Sequence, residues 1–251
     1  MPAVIWMAGL TILLTAALGL AALNHLTGSD RRYYLLMVAG LPSSFLINRL
    51  VKIPLISGIG SLAGIPLKLG PDMPLWFLGV IWLAAPIFEE AIKILPMALR
   101  PARKLMTGEA QALWAGLALG IGFGLGEAAY LAYGMVRDPA TNSLPWYMFS
   151  GFVTDRLIVS FGHGLMTAVA VMGLKHGGGR AFLGYLAAVG LHALLNLGPI
   201  LSALKLISPT LASFGTYAAI LLAFLIVMRK GRLARKDGAV TAGQINYFSR
   251  E

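Results

Sequence analysis

Apolar residues fill seven runs of the chain, 2–23, 33–51, 74–98, 110–134, 151–174, 181–198 and 206–228, and polar residues collect between them. Each run is about 20 residues, long enough to cross a hydrocarbon core roughly 30 Å thick. Lipid offers no partner to an open backbone, so every run predicts a helix. The first run has no basic residues ahead of it and is too long for the apolar segment of a leader, so it reads as a retained span. Residues 52–74 are rich in Gly and Pro yet still apolar, which predicts a re-entrant or interfacial segment rather than a solvated loop. No internal repeat is evident. The fold class that follows is all-α: a polytopic transmembrane bundle, one domain over 1–251, with core helices at 75–200 and a basic tail at 229–251.

Composition agrees with this and removes alternatives. The 251 residues are 58% hydrophobic and 12% charged, with mean hydropathy +0.78, whereas soluble domains carry about 25% charged residues. A water-soluble domain is excluded. The net charge of +10 is spread through loops rather than gathered in a patch, so the partner it implies is the lipid bilayer and not nucleic acid. If the C-terminus is cytoplasmic, the inner segments hold Arg31, Arg32, Arg100, Arg103, Lys104, Lys175, Arg180, the cluster Arg229 to Lys236, and Arg250. The outer ones hold Lys52, Lys68, Arg137 and Lys205. That asymmetry predicts an outside N-terminus in the cytoplasmic (inner) membrane, the tail serving to fix topology. The absence of cysteine excludes disulfides, thiolate metal sites and a Cys nucleophile.

Some residues inside the runs do not belong in lipid. Glu89 and Glu90 lie in the third run, Glu127 in the fourth, His163 in the fifth and His192 in the sixth. A charged group at the bilayer centre costs about 2.5–3.5 kcal/mol, so three carboxylates cost roughly 8–10 kcal/mol unless compensated. At 1.5 Å per residue, Glu89 lies roughly 22 Å and His163 roughly 18 Å from the outer ends of their spans, and His192 roughly 16 Å from the inner end of its own. Glu127 comes out roughly 10 Å from its outer end and joins them with a helix tilt. Glu89 and Lys93, four residues apart, share a face and are expected to pair. Arg156, Ser160 and His163 share a face, as do His192 and Asn196. Four polar stripes pointing at lipid would be costly, so the four helices should turn them inward around one wet cavity. His25 and His176 read as solvated loop residues, Asp155 as an interfacial group, and Tyr130, Trp82 and Trp114 as packing or interfacial residues. Gly116, Gly120, Gly122, Gly124 and Gly126 would let a neighbouring helix come close.

Two imidazoles and a carboxylate from separate elements, with a further carboxylate beside them, meet the needs of a zinc site and its general base. On that pattern Glu127, His163 and His192 are the candidate metal ligands and Glu89 or Glu90 the base, with Asn196 donating to a developing oxyanion. A metal-free route, in which a glutamate and a histidine activate water, is equally open at this level. Lys93 and Arg156 read as counter-ions.

The same residues carry a resemblance. Glu89-Glu90-Ala-Ile-Lys93 matches the E-E-x-x-K motif of PrsW-type intramembrane proteases, and Phe123-Gly-Leu-Gly-Glu127 matches their F-x-x-x-E. His163 and then His192-Ala-Leu-Leu-Asn196, similar to H-x-x-x-[D/N], follow in the family's order, although no full F-x-x-x-H precedes His163. The wider relatives are the CAAX-protease and bacteriocin-processing (CPBP/Abi) superfamily, in which the second motif carries His in place of Glu127 and the first ends in Arg in place of Lys93. The resemblance covers roughly 75–200 and makes these the catalytic core helices. It implies a glutamate-dependent, metal-assisted peptidase acting on a membrane protein or peptide, an anti-sigma factor being the substrate class of PrsW-type members. A proton- or cation-coupled transporter, using the acids as a relay, is the rival reading; a non-catalytic peptide-binding relative is another. No G-x-S-x-G accompanies Ser150 or Ser160, which disfavours a serine protease.

Overall fold

The computed structural model describes residues 2–66, 70 and 72–248, with backbone alone from 230 onward. Lys68, Arg250 and the side chains of the tail from Lys230 onward, all weighed above for topology, lie outside the described residues. Among the described residues ten α-helices follow one another: α1 (Ala3–Thr27), α2 (Arg31–Ile47), α3 (Ile53–Leu62), α4 (Leu75–Ile94), α5 (Arg100–Arg103), α6 (Glu109–Arg137), α7 (Pro139–Asn142), α8 (Ser150–His176), α9 (Gly178–Ala203) and α10 (Pro209–Phe248). Among the described residues seven helical segments are long and apolar enough to cross a membrane, as the apolar runs predicted. Their ends are set by ordinary signals. Gly28 adopts the left-handed conformation that closes α1 (φ 62°), and the Asp30 carboxylate accepts from the Arg32 amide to open α2.

The second span departs from expectation. It does not stop at residue 51 but runs on to Leu62, and α2 joins α3 through a π-helical turn, Asn48–Lys52. The Ile53 amide donates five residues back, to the Asn48 carbonyl. Pro54, next in the chain, has no N–H for the ladder, and its ring crowds the carbonyl four residues behind it. The re-entrant reading of 52–74 is thereby corrected: about its first half, to Leu62, is the end of a helix long and apolar enough to span. His25 and His176 are also helical, in the last turns of α1 and α8 rather than in loops, and His176 pairs with Glu109 at 3.0 Å.

Helix α6 is the centre of the bundle. It packs on α8 along one side and on α2 and α1 along the other, while α9 continues the layer from α8 and α10 covers α9. Two glycine rows make this possible. A Cβ at Gly120 would stand 2.3 Å from the His163 carbonyl of α8, and one at Gly122 would stand 1.9 Å from the Met37 carbonyl of α2. Helix α4 leans on α9, held by two bonds to backbone: Trp82 Nε1 donates to the Ala193 carbonyl (2.8 Å) and Tyr185 Oη to the Ile87 carbonyl (2.8 Å). The acidic doublet is thus carried to the face of α9 that holds His192.

Candidate active site

Glu89 and Glu90 sit one turn after Pro86 of α4 and are 1% and 0% exposed. Each turns to a different cation. Glu89 Oε1 accepts from Lys52 Nζ at 2.5 Å, across from the π-turn. Glu90 Oε1 accepts from Lys93 Nζ (2.6 Å) and lies 2.7 Å from His192 Nδ1. The expected Glu89–Lys93 pair is therefore corrected: Lys93 serves Glu90, three residues back, because Lys52 occupies Glu89.

The imidazoles come from α8 and α9, with ring centroids 5.0 Å apart. His163 Nδ1 is 2.8 Å from Lys93 Nζ and Nε2 is 3.1 Å from Glu127 Oε2. An ammonium only donates, so Nδ1 accepts and the ring hydrogen points from Nε2 to Glu127. Phe123 supports this corner, its ring edge-on to His163 at 5.2 Å and 4.3 Å from Lys93 Nζ. Glu127 is shared with Arg156, whose guanidinium donates to it at 2.8 Å and to Asp155 at 2.5 Å. Ser160 is spent on the Arg156 carbonyl. Asn196 lies half-buried one turn after His192 on α9.

Metal fit can be judged from the donors. Glu89, His163 and His192 each bring a ligand atom within 4.8 Å of the others. Glu89 Oε2 is buried with no hydrogen-bond partner among the described residues and lies 3.8 Å from His192 Nε2. Because Glu90 holds Nδ1 of His192, the Nε2 lone pair is left for the site, the carboxylate–imidazole support usual behind a metal-bound histidine. Two ligands of a tetrahedral zinc stand about 3.3 Å apart, given bonds of about 2.0–2.1 Å. The Glu127–His163 spacing of 3.1 Å and the Glu89–His192 spacing of 3.8 Å lie on either side of that value. Imidazole and carboxylate donors of this kind suit a zinc-type ion. The structure thus brings Glu89 into the converging group and sets Glu127 at its edge, beside His163; to act as a ligand, His163 gives up one of its present bonds.

The group is graded in exposure. Side-chain exposure rises from 0% at Glu90 and 1% at His163 to 17% at Glu127 and 44% at Asp155, near the start of α8. That end of the group is therefore its most exposed part.

Sequence reasoning missed Lys52, Trp82 as a donor to α9, and Tyr185. The signal that could have found Lys52 is a count: three acids inside the runs against two counter-ions, Lys93 and Arg156, call for a third cation, but Arg49 and Lys52 both qualify and helical periodicity alone does not choose between them.

The family model described as PrsW family intramembrane metalloprotease matches residues 41–228. No curated protein and no solved structure matches the chain.

Proposed function

We propose, for a chain that belongs to the PrsW family of intramembrane metalloproteases, that it hydrolyses a peptide bond of a membrane-embedded or membrane-adjacent protein at the Glu89–His163–His192 group. One observation carries the reading: Glu89 Oε2, buried and without a hydrogen-bond partner among the described residues, stands 3.8 Å from His192 Nε2 in a Glu89–His163–His192 group whose ligand atoms lie within 4.8 Å of one another. The family match gives no support to a coupled transporter.

In this reading His163, His192 and Glu127 would hold a zinc ion, and Glu89 is the general base. A bound zinc ion would supply a water whose pKa falls to about 7 and polarise the scissile carbonyl. Glu89 takes the proton of the attacking water on Oε2 and delivers it to the leaving amine. Glu90 keeps the proton of His192 on Nδ1, and Lys93 neutralises Glu90. Asn196 donates to the oxyanion. Arg156 balances Glu127 on the wetter side, from which water enters. The order of the four motifs also supports placement in the wider CAAX-protease and bacteriocin-processing superfamily, and an anti-sigma factor as substrate. The basic loops support residence in the cytoplasmic membrane with the N-terminus outside.

The test is cleavage of a reporter with a single transmembrane segment by purified protein, together with its zinc content. Glu89→Gln is expected to lose at least 100-fold in kcat and keep its zinc, while His163→Ala, His192→Ala and Glu127→Gln lose both. A chelator should abolish cleavage and added zinc restore it. Undiminished cleavage by folded Glu89→Gln would sink the mechanism, and loss of zinc in that variant would reassign Glu89 as a ligand.

A further inference from the structure

The buried positions of α2 are Tyr33, Leu36, Met37, Gly40, Ser43, Ser44 and Ile47, with Asn48 next in the π-turn. Continued at 3.6 residues per turn, that stripe reaches Val51 and leaves Lys52 about 100° to the side. The structure does the opposite: Val51 is 36% exposed and the Lys52 side chain 17%. The π-turn explains the exchange, since one extra residue in the turn delays the inward position by one. Asn48 secures the turn by donating from Nδ2 to the Ser44 carbonyl (2.8 Å).

Arg49 shows what a cation on this helix does otherwise. It is exposed and lies against the rings of Phe45, Tyr130 and Tyr133, 5.7–6.0 Å from their centroids, where a long side chain can reach the membrane surface. Lys52 instead reaches inward, and its ammonium makes the one hydrogen bond that Glu89 has among the described side chains. That bond takes Oε1 and leaves Oε2 toward His192. With Glu90 Oε1 engaged by Lys93 and His192, no other hydrogen bond among the described residues holds the Glu89 carboxylate in one orientation.

We infer that Lys52, delivered by the π-turn, is the positioning residue for Glu89: it fixes the carboxylate so that Oε2 alone meets the attacking water. The inference rests on the hydrolytic reading of the Glu89 group. Lys52 touches neither substrate nor metal in this scheme, so its loss should disturb turnover and leave binding intact.

Three measurements on the full-length protein in detergent decide it. Lys52→Met should lower kcat 10–100-fold, in the range of lost supporting contacts at such sites, with KM within about threefold and wild-type zinc content. Lys52→Arg, which keeps a cation on a long stem, should recover most of kcat. In a thermal cycle, Lys52→Met and Glu89→Gln should each lower Tm, and the double variant should fall no further than the worse single variant, as expected of directly paired groups. A Lys52→Met enzyme with kcat within twofold of wild type, or one that loses its zinc, overturns the inference, as does additive behaviour in the thermal cycle. If the wild-type protein neither cleaves nor binds zinc, the hydrolytic reading fails by itself, and the thermal cycle still decides whether Lys52 holds Glu89.

Discussion

Each of the three acids in the apolar interior has its own cation: Lys52 for Glu89, Lys93 for Glu90 and Arg156 for Glu127. This is how the chain offsets the roughly 8–10 kcal/mol that three bare carboxylates would cost in lipid. Glu90 and Lys93 are the driest pair, both 0% exposed. Removing one member leaves a lone buried charge, so Lys93→Met is expected to cost about 3–5 kcal/mol, seen as a lower Tm. Glu90→Gln combined with Lys93→Met should regain most of that stability without regaining cleavage, because His192 still lacks the carboxylate on Nδ1. Thermal unfolding and reporter cleavage on the same preparations check both halves. Phe123→Leu removes the ring beneath the Lys93 ammonium and should cost about 1–2 kcal/mol, a smaller fall in Tm with zinc content preserved. The acids and imidazoles, like the cations Lys93 and Arg156, were legible as residues, since ionisable groups are costly to bury in lipid. Their pairing was not: Glu89 and Lys93 share a face, and only the arrival of Lys52 from another helix sends Lys93 to Glu90.

Helices form here because lipid demands them, but their closeness is set by side chains that are missing. The Gly116, Gly120 and Gly124 row of α6 meets α8 at Ala168, His163 and Ser160, while Gly122 and Gly126 meet α2 at Met37 and Leu41. A side chain at Gly120 collides with backbone, which cannot swing away. Gly120→Leu is therefore expected to separate α6 from α8, cost more than the about 1–3 kcal/mol of ordinary overpacking, seen as a lower Tm, and abolish cleavage together with zinc retention. Gly134→Ala, where an added Cβ meets nothing within 4 Å, should leave Tm and cleavage unchanged. The glycine spacing was visible in the chain as a close-approach surface, though not that it serves two neighbours at once. The π-turn was invisible, because hydropathy carries no trace of a one-residue shift in register; the sole local signal is Pro54.

At the scale of the molecule, α4, α6, α8 and α9 meet around the charged group as the inward-facing stripes required, and the group opens toward the end carrying Asp155 and the α6–α8 connection. The topology proposed from the basic loops puts that end outside. The lack of cysteine makes the test clean: Ser143→Cys should react with a membrane-impermeant maleimide in intact cells, and Lys104→Cys only after lysis. Labelling in the reverse order would invert the proposed orientation. Hydropathy alone was enough to predict seven helices long and apolar enough to span, the membrane as solvent and the short roster of ionisable residues that the structure brings together, because burying a charge in lipid is so costly that sequence must advertise it. Which carboxylate faces which nitrogen, which cation answers each acid, and the recruitment of Lys52 through a helical irregularity were decided by packing. Those contacts join residues up to 103 positions apart, and their geometry depends on shifts of single ångströms that no local pattern encodes.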